Sequence, residues 1–161
     1  MVDSLLRRAI KKTFDFRDVL VPPDAAGASF WTKTLVDTAG APTVALTADG
    51  MRLLIDDTSE AQAANLLNGD VLSFDIDDLI RLEGVVKLST DELAAGVEAV
   101  FGLAGAYNAT LDNIAQNCWF KVAGSNSLLV ETDDGTTDND DVATGMTLAD
   151  EWRRFAIDFS V

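Results

Sequence analysis

The chain has 161 residues, of which 48% are hydrophobic, and its formal net charge at pH 7 is −15. This length and apolar content are typical of a folded protein with its own core, and they exclude a disordered or collagen-like chain. One cysteine cannot form an intrachain disulfide, and the absence of histidine excludes a Ser-His-Asp triad and a histidine-ligated metal. The acidic charge is expected to repel nucleic acid and anionic membranes.

The first 18 residues differ from the rest of the chain in charge. They hold five basic and three acidic side chains, whereas residues 19–161 hold seven basic and 24 acidic ones. Residues 2–14 have the spacing of a short amphipathic helix, and Val21-Pro22-Pro23 favours an extended linker after it. We therefore interpret residues 1–29 as a basic arm and linker, and residues 30–161 as one β-sandwich domain.

Such an arm suits docking onto an acidic protein surface, and packing on its own domain is the alternative. The residues expected to make the docking contacts are Leu5, Leu6, Arg7, Arg8, Ile10, Lys11, Lys12, Phe14 and Arg17.

From Phe30 onward the sequence has the pattern of β-strands. Leu72, Phe74 and Ile76 alternate with polar residues, which predicts a strand with one face in water. The predicted strands are residues 30–36, 43–47, 51–56, 71–76, 80–88, 97–104, 117–123, 127–132 and 152–159. Many short strands separated by turn signals predict a mostly β fold, an antiparallel β-sandwich of the jelly-roll kind.

A few segments depart from this pattern. Ser59 to Gln62 has the sequence of a capping box, and the good helix formers from Ala63 to Leu67 predict a helix of one to two turns. Residues 90–95 and 110–115 each predict a further short helical turn. The expected fold therefore has an N-terminal arm and one or two short helices beside its strands.

Carboxylates are the remaining route to catalysis. Asp75 and Asp77 alternate on a predicted strand, as acids do in some jelly-roll glycosidases, but no third acid follows at the next alternate position. We interpret them as the solvated face of a half-buried strand. Cys118, in another predicted strand, is expected to be a buried and inert thiol. The sequence thus predicts a protein that is not an enzyme and needs no cofactor.

Five acidic residues fall within residues 133–141, and they are Asp133, Asp134, Asp138, Asp140 and Asp141. Oxygen ligands in a flexible loop suit Ca²⁺, although the pattern of an EF-hand is not met. The preferred interpretation is an acidic hairpin loop in which Asp, Asn and Gly serve the turn geometry, with no bound metal.

Aromatic side chains offer another kind of site. Trp31, Trp119, Trp152 and Tyr107 have the chemistry to stack on sugars, which favours a carbohydrate-binding module, Ca²⁺-dependent or not, as the alternative function. Each tryptophan has apolar neighbours in or beside a predicted strand. We therefore expect core packing for the three of them.

Four segments of the body share a texture and an order with a known class of proteins, and they are Leu66 to Ile76, Val100 to Ala104, Val130 to Gly135 and Trp152 to Phe159. In these segments the body resembles phage structural proteins of the jelly-roll, concanavalin-A-like kind. The resemblance implies a capsid decoration, or cement, protein of a tailed phage. It would be a non-enzymatic homo-oligomer, often a homotrimer, on the outside of the virion, where it clamps neighbouring subunits of the major capsid protein.

Overall fold

The computed structural model describes residues 31–37, 40–56, 62–67, 81–89 and 93–159. These residues form ten strands and one short 3-10 helix, and every strand pair is antiparallel. The predicted mostly β, antiparallel fold is confirmed. In the described ranges, no helix is both long and apolar enough to cross a lipid bilayer.

The chain divides into two compact units, Met1–Val71 and Leu72–Val161. The described strands of the first unit are β1 (Thr32–Val36), β2 (Thr43–Thr47), β3 (Gly50–Leu54) and β4 (Ala63–Leu67). β1 pairs with β4, and β2 pairs with β3 in a hairpin that closes through Ala48 and Asp49. Gly50 has a φ of +128°, a backbone conformation that glycine adopts readily and other residues avoid, as the predicted Asp49-Gly50 turn requires.

Strand β4 corrects one prediction, because Ala63–Leu67 is a strand and the helix predicted there is wrong. Its five residues pair in register with β1, from Ala63 opposite Val36 to Leu67 opposite Thr32. Gln62, the expected end of a capping box, instead accepts a hydrogen bond of 3.0 Å from the Asp56 backbone and donates one to the Asp56 carboxylate. Pairing with a distant strand therefore outweighs the local helix propensity of these residues.

The second unit contains the larger sheet. Its elements are β5 (Arg81–Val86), β6 (Glu98–Ala104), a 3-10 helix (Leu111–Asn113), β7 (Asn117–Ala123), β8 (Ser127–Asp133), β9 (Asp138–Thr147) and β10 (Arg153–Asp158). Strands β6, β7, β8 and β9 form a four-stranded meander in that order, and β5 pairs with β10. The 3-10 helix confirms the short turn predicted at residues 110–115.

Aromatic packing joins these two sheets as layers. Phe101 of β6 and Phe120 of β7 stand opposite each other with ring centroids 5.5 Å apart. The ring of Phe155 from β10 packs on both, at 4.9 Å and 5.9 Å. Gly84 lies opposite Phe155 in β5, and a Cβ there would come within 2.7 Å of that ring. We call the face of the meander that carries these rings the aromatic face.

Strand β9 was not predicted, since its first residues were interpreted as part of a loop. The loop of the β8–β9 hairpin is limited to residues 134–137, and Asp138–Thr147 pairs along β8. Two irregularities interrupt this pairing, one near Leu128 and one between Val130 and Thr132. The second is a β-bulge with one extra residue on β9, and the first leaves two extra residues of β9 unpaired; such irregularities bend an edge strand and re-aim its side chains.

Several predictions fall outside the described residues and stay predictions. They are the arm and linker at residues 1–29 with its boundary to the proposed domain at 30–161, the strand at 71–76, and the helical turn beginning at residue 90.

The aromatic layer predicts a stability effect. Replacing Phe155 by Ala removes the ring that covers Phe101 and Phe120. Because Phe155 is only partly buried, we expect the free energy of unfolding to fall by about 3 kcal/mol, the low end for this substitution. Urea denaturation followed by fluorescence measures it. Val142→Ala, at an exposed position, is the control and should change stability by less than about 0.5 kcal/mol. Equal effects of the two substitutions would contradict the layered packing.

Candidate functional site

A buried ionic cluster lies on the face of the meander opposite the aromatic face, which we call the polar face. Alternation along β7 places Asn117, Trp119 and Lys121 there, and register places Glu131 opposite Trp119. Lys121 and Glu131 are only 4% and 2% exposed. The Lys121 Nζ lies 3.3 Å from Glu131 Oε2, and Asn117 Nδ2 donates to Glu131 Oε1 at 3.3 Å.

Two further carboxylates reach the same ammonium from more exposed positions. Asp141 Oδ1 lies 3.2 Å from Lys121 Nζ, and Asp112 Oδ1 lies at 3.5 Å. Asp112 belongs to the 3-10 helix, and Asp141 sits in the β9 bulge with a φ of +49°. A positive φ is strained for a non-glycine residue, and here it accompanies the carboxylate's contact with Lys121. We name these five residues, Asn117, Lys121, Glu131, Asp112 and Asp141, the Lys121 cluster.

The electrostatics of the Lys121 cluster favour a structural role. Burial by itself would lower the pKa of Lys121, but the hydrogen bond to Asp141 and the charge of Glu131 outweigh it, so the pKa is raised. An amine that stays protonated is neither a nucleophile nor a general base. The cluster therefore fixes the strands and loops around it, and we assign it no chemistry.

Two of the five acidic residues in this run, Asp133 and Asp134, serve turn geometry, as predicted for the whole run. The Asp133 carboxylate accepts a hydrogen bond from the Gly135 N–H at 2.7 Å. The Asp134 carboxylate accepts from the N–H groups of Thr136 and Thr137 at 2.8 and 2.7 Å, which lowers the pKa of Asp134. These are the local bonds that Asp makes in tight turns.

The remaining acids of this run lie in β9 rather than in a loop. Desolvation and the charge of neighbouring Asp140 raise the pKa of Asp138, and Asp141 contacts Lys121. Within the described ranges, no group of three or more acidic or cysteine side chains has the arrangement of a metal site. The structure thus brings Asp141 to an internal cation, while Asp133 and Asp134 hold the turn.

The tryptophans divide between core and surface. Trp119 is buried as expected, whereas Trp152, which directly precedes β10, is 54% exposed, so core packing was the wrong prediction for it. Cys118 is half-buried, and burial raises the pKa of its thiol, which keeps it protonated and unreactive at neutral pH.

A shallow depression of about 290 Å³ lies at the end of the meander where the β6–β7 connection approaches the β8–β9 turn. Its rim and floor are uncharged throughout. The polar and glycine residues that line it are Gly105, Tyr107, Asn108, Asn113, Gln116 and Gly135. Tyr107 was named from the sequence as a stacking residue, but its amide neighbours were not.

The other predicted site residues lie elsewhere. Leu5 to Arg17 of the proposed arm, together with Asp75 and Asp77, are outside the described residues. Sequence reasoning also missed the pair Lys121–Glu131. One signal for a buried lysine was present in the sequence, because Lys121 stands between Phe120 and Val122 in an apolar strand. Its partner Glu131 could not be identified, since that contact depends on the register of β7 and β8.

The Lys121 cluster predicts a strong dependence on its central cation. Lys121→Met leaves the buried Glu131 charge uncompensated, so we expect a loss of about 3 to 5 kcal/mol in the free energy of unfolding. The double variant Lys121→Met with Glu131→Leu should recover most of that loss. Urea denaturation of both variants measures this. A single variant as stable as the wild type would contradict the buried pair.

The raised pKa of Lys121 predicts a loss of stability at alkaline pH. The folded state holds this proton more tightly than the unfolded chain, whose lysine pKa is about 10.4. The contribution of Lys121 is therefore complete below about pH 10 and is lost as pH rises through the raised pKa. The difference in unfolding free energy between wild type and Lys121→Met should shrink from about pH 10 upward.

Lys87→Met, which removes a more exposed pair with Asp150 at 2.7 Å, is the matched control. Its difference from the wild type should be small at every pH, because surface pairs contribute about 1 kcal/mol or less. The prediction is wrong if the difference in unfolding free energy between wild type and Lys121→Met stays constant into strong alkali. That result would show that Lys121 has the same pKa in the folded and unfolded states.

No family model, curated protein or solved structure matches the chain.

Proposed function

We propose that the protein is a virion structural protein, a capsid decoration or cement protein that binds and stabilises the major capsid protein lattice of a tailed phage. It would act as a homo-oligomer, a homotrimer in the simplest case, on the outer surface of the capsid. It would do so by adhesion alone, with neither catalysis nor a cofactor. The support comes from the surface of the second unit, the charge distribution and the sequence resemblance.

The observation that carries the proposal is the exposed apolar edge of the meander. Val142 and Met146 of β9 are 52% and 57% exposed. They stand opposite Val130 and Leu128, so they project on the aromatic face, and no further strand pairs with β9 among the described residues. Exposed apolar side chains on a sheet edge are typical of protein contact surfaces. We name Val142 and Met146 the β9 apolar edge.

Charge supplies the second part of the argument. Residues 19–161 carry a large excess of acids, and five of them fall within residues 133–141. The first 18 residues carry a net positive charge, and the helix predicted from their sequence would have an apolar stripe. Two surfaces of opposite charge on one chain suit a protein that links unlike neighbours, because complementary charge sets orientation while apolar contacts supply affinity.

In this proposal the protein stabilises the capsid by making several contacts at once. A junction between capsid subunits that is weak alone gains buried area when a third protein contacts both sides of it. An oligomer that makes several such contacts at once dissociates far more slowly than one copy, because each further contact forms at high effective concentration. No bond has to be made or broken in this role.

The proposal predicts that capsid binding depends on two separate surfaces. Deleting residues 1–18 should leave a folded body and weaken binding to undecorated capsids by at least about tenfold, which is about 1.4 kcal/mol. In the full chain, Val142→Gln combined with Met146→Gln should weaken binding by a similar factor, because apolar anchors are lost. Cosedimentation with capsids measures both, and thermal melting checks the fold.

Val85→Gln is the matched control, since Val85 is also exposed but lies on β5. It should bind like the wild type. If the truncated chain binds as tightly as the full one, the arm assignment is wrong. If Val85→Gln weakens binding as much as the β9 substitutions do, the assignment to β9 is wrong.

A further inference from the structure

We propose that the depression between the β6–β7 connection and the β8–β9 turn binds one neutral pyranose residue of a glycan, without calcium. This inference does not depend on the capsid role. It concerns the carbohydrate-binding alternative raised by the sequence, and it places that activity beside the Asp-rich turn but without its carboxylates and without the exposed Trp152.

The depression is formed by a connection that is internally bonded. The Gly105 N–H donates to the Gln116 carbonyl at 2.8 Å, which closes the base of the connection. Asn108 caps the next turn by accepting from the Thr110 N–H at 2.9 Å. The buried side chain of Ile114 anchors the segment, and Asp112 ties it to the Lys121 cluster. A binding surface held in this way loses little conformational entropy when a ligand arrives.

Two glycines keep the depression open. Gly135 has a φ of +85°, and a Cβ there would lie 3.4 Å from the Ala115 carbonyl oxygen. A Cβ at Gly105 would lie 3.0 Å from the Gln116 Oε1. A side chain at Gly105 would therefore crowd the Gln116 side chain, and one at Gly135 would be strained by the positive φ. With glycine at both, the backbone and the side-chain amides remain accessible.

The lining carries no charge, although 24% of the whole chain is charged. Its surroundings are acidic, because Asp133 and Asp134 flank Gly135, and Asp112 adjoins Asn113. An anionic ligand such as a phosphate, a uronate or a sialic acid would meet this negative field without any cation in the lining to pair with it. The charge pattern therefore disfavours an anionic ligand, and a cationic ligand would find no carboxylate in the lining to pair with.

The polar groups of the lining match hydroxyl groups. The carboxamides of Asn108, Asn113 and Gln116 both donate and accept hydrogen bonds, which suits a ligand whose groups also do both. Tyr107 is 36% exposed and adds an aromatic surface, against which the C–H side of a sugar ring packs. An aromatic ring with several amides around it is the combination that a saccharide requires, whereas a purely apolar ligand would leave the amides unpaired.

The volume of the depression suits a single sugar ring. Small-molecule pockets span about 300 to 1,000 Å³, and this depression of about 290 Å³ lies at the lower end. A shallow and open site buries little ligand surface, so we expect a dissociation constant of about 1 mM for a free monosaccharide. Presentation of several copies on one oligomer would raise the apparent affinity for a polymeric glycan.

The test is an NMR titration of the full-length, isotope-labelled chain with glucose, galactose, mannose, N-acetylglucosamine and N-acetylgalactosamine, in chelator. We expect at least one of them to shift the signals of Tyr107, Asn113 and Gln116. Tyr107→Ala should weaken that binding at least about tenfold. Trp152→Ala, which removes the exposed tryptophan elsewhere in the unit, should leave it unchanged. Gln116→Leu serves as a second lining variant if Tyr107→Ala does not fold.

Three results would each overturn the inference. In the first, none of the five sugars shifts the lining signals at concentrations well above about 1 mM. In the second, binding is lost in Trp152→Ala but retained in the lining variants. In the third, glucuronate or sialic acid binds as well as the neutral sugars. None of these results bears on capsid binding, which depends on the arm and the β9 apolar edge, so the two proposals fail separately.

Discussion

The structure of the second unit depends on two opposite charges held inside a sheet. Lys121 and Glu131 are almost fully buried on the polar face, and each needs the other because an unpaired charge in that position is very costly. We expect the pair to add little net stability over an apolar replacement and to specify the register of β7 and β8 instead. A slip of one residue between β7 and β8 would turn one of these charges toward the aromatic face, where Phe155 packs on Phe120.

The same cluster positions the loops at one end of the meander. Asp112 brings the β6–β7 connection to Lys121, and Asp141 brings the β9 bulge to it. In an antiparallel meander these two connections leave the sheet at the same end, so they meet beside Gly135. The uncharged depression thus lies next to the most strongly charged part of the unit, and the internal cation balances part of the acidic charge that surrounds it.

Much of the strand pattern could be predicted because local sequence decides it. Asn117–Ala123 is an apolar run that ends at Gly124-Ser125, and it was predicted with its observed bounds. Two strands required knowledge of distant partners. Ala63–Leu67 has helix formers but pairs with β1, and Asp138–Thr147 has weak strand propensity but pairs with β8. The turn roles of Asp133 and Asp134 follow from local chemistry, whereas the contact of Asp141 with Lys121 depends on a bulge that no local pattern specifies.

Alternation along β9 explains why the proposed surfaces are separable. Val142 follows Asp141 directly and Met146 lies four residues further on, so alternation places Asp141 on one face and both apolar side chains on the other. The irregular pairing keeps this arrangement, because Asp141 contacts Lys121 on the polar face while Val142 and Met146 stand on the aromatic face. Bulges also hinder the addition of another strand to an open edge, because the unpaired residues interrupt the ladder of hydrogen bonds. A partner at this edge is therefore expected to bind through the exposed apolar side chains rather than by extending the sheet, and the depression beside Gly135 stays free for a different ligand.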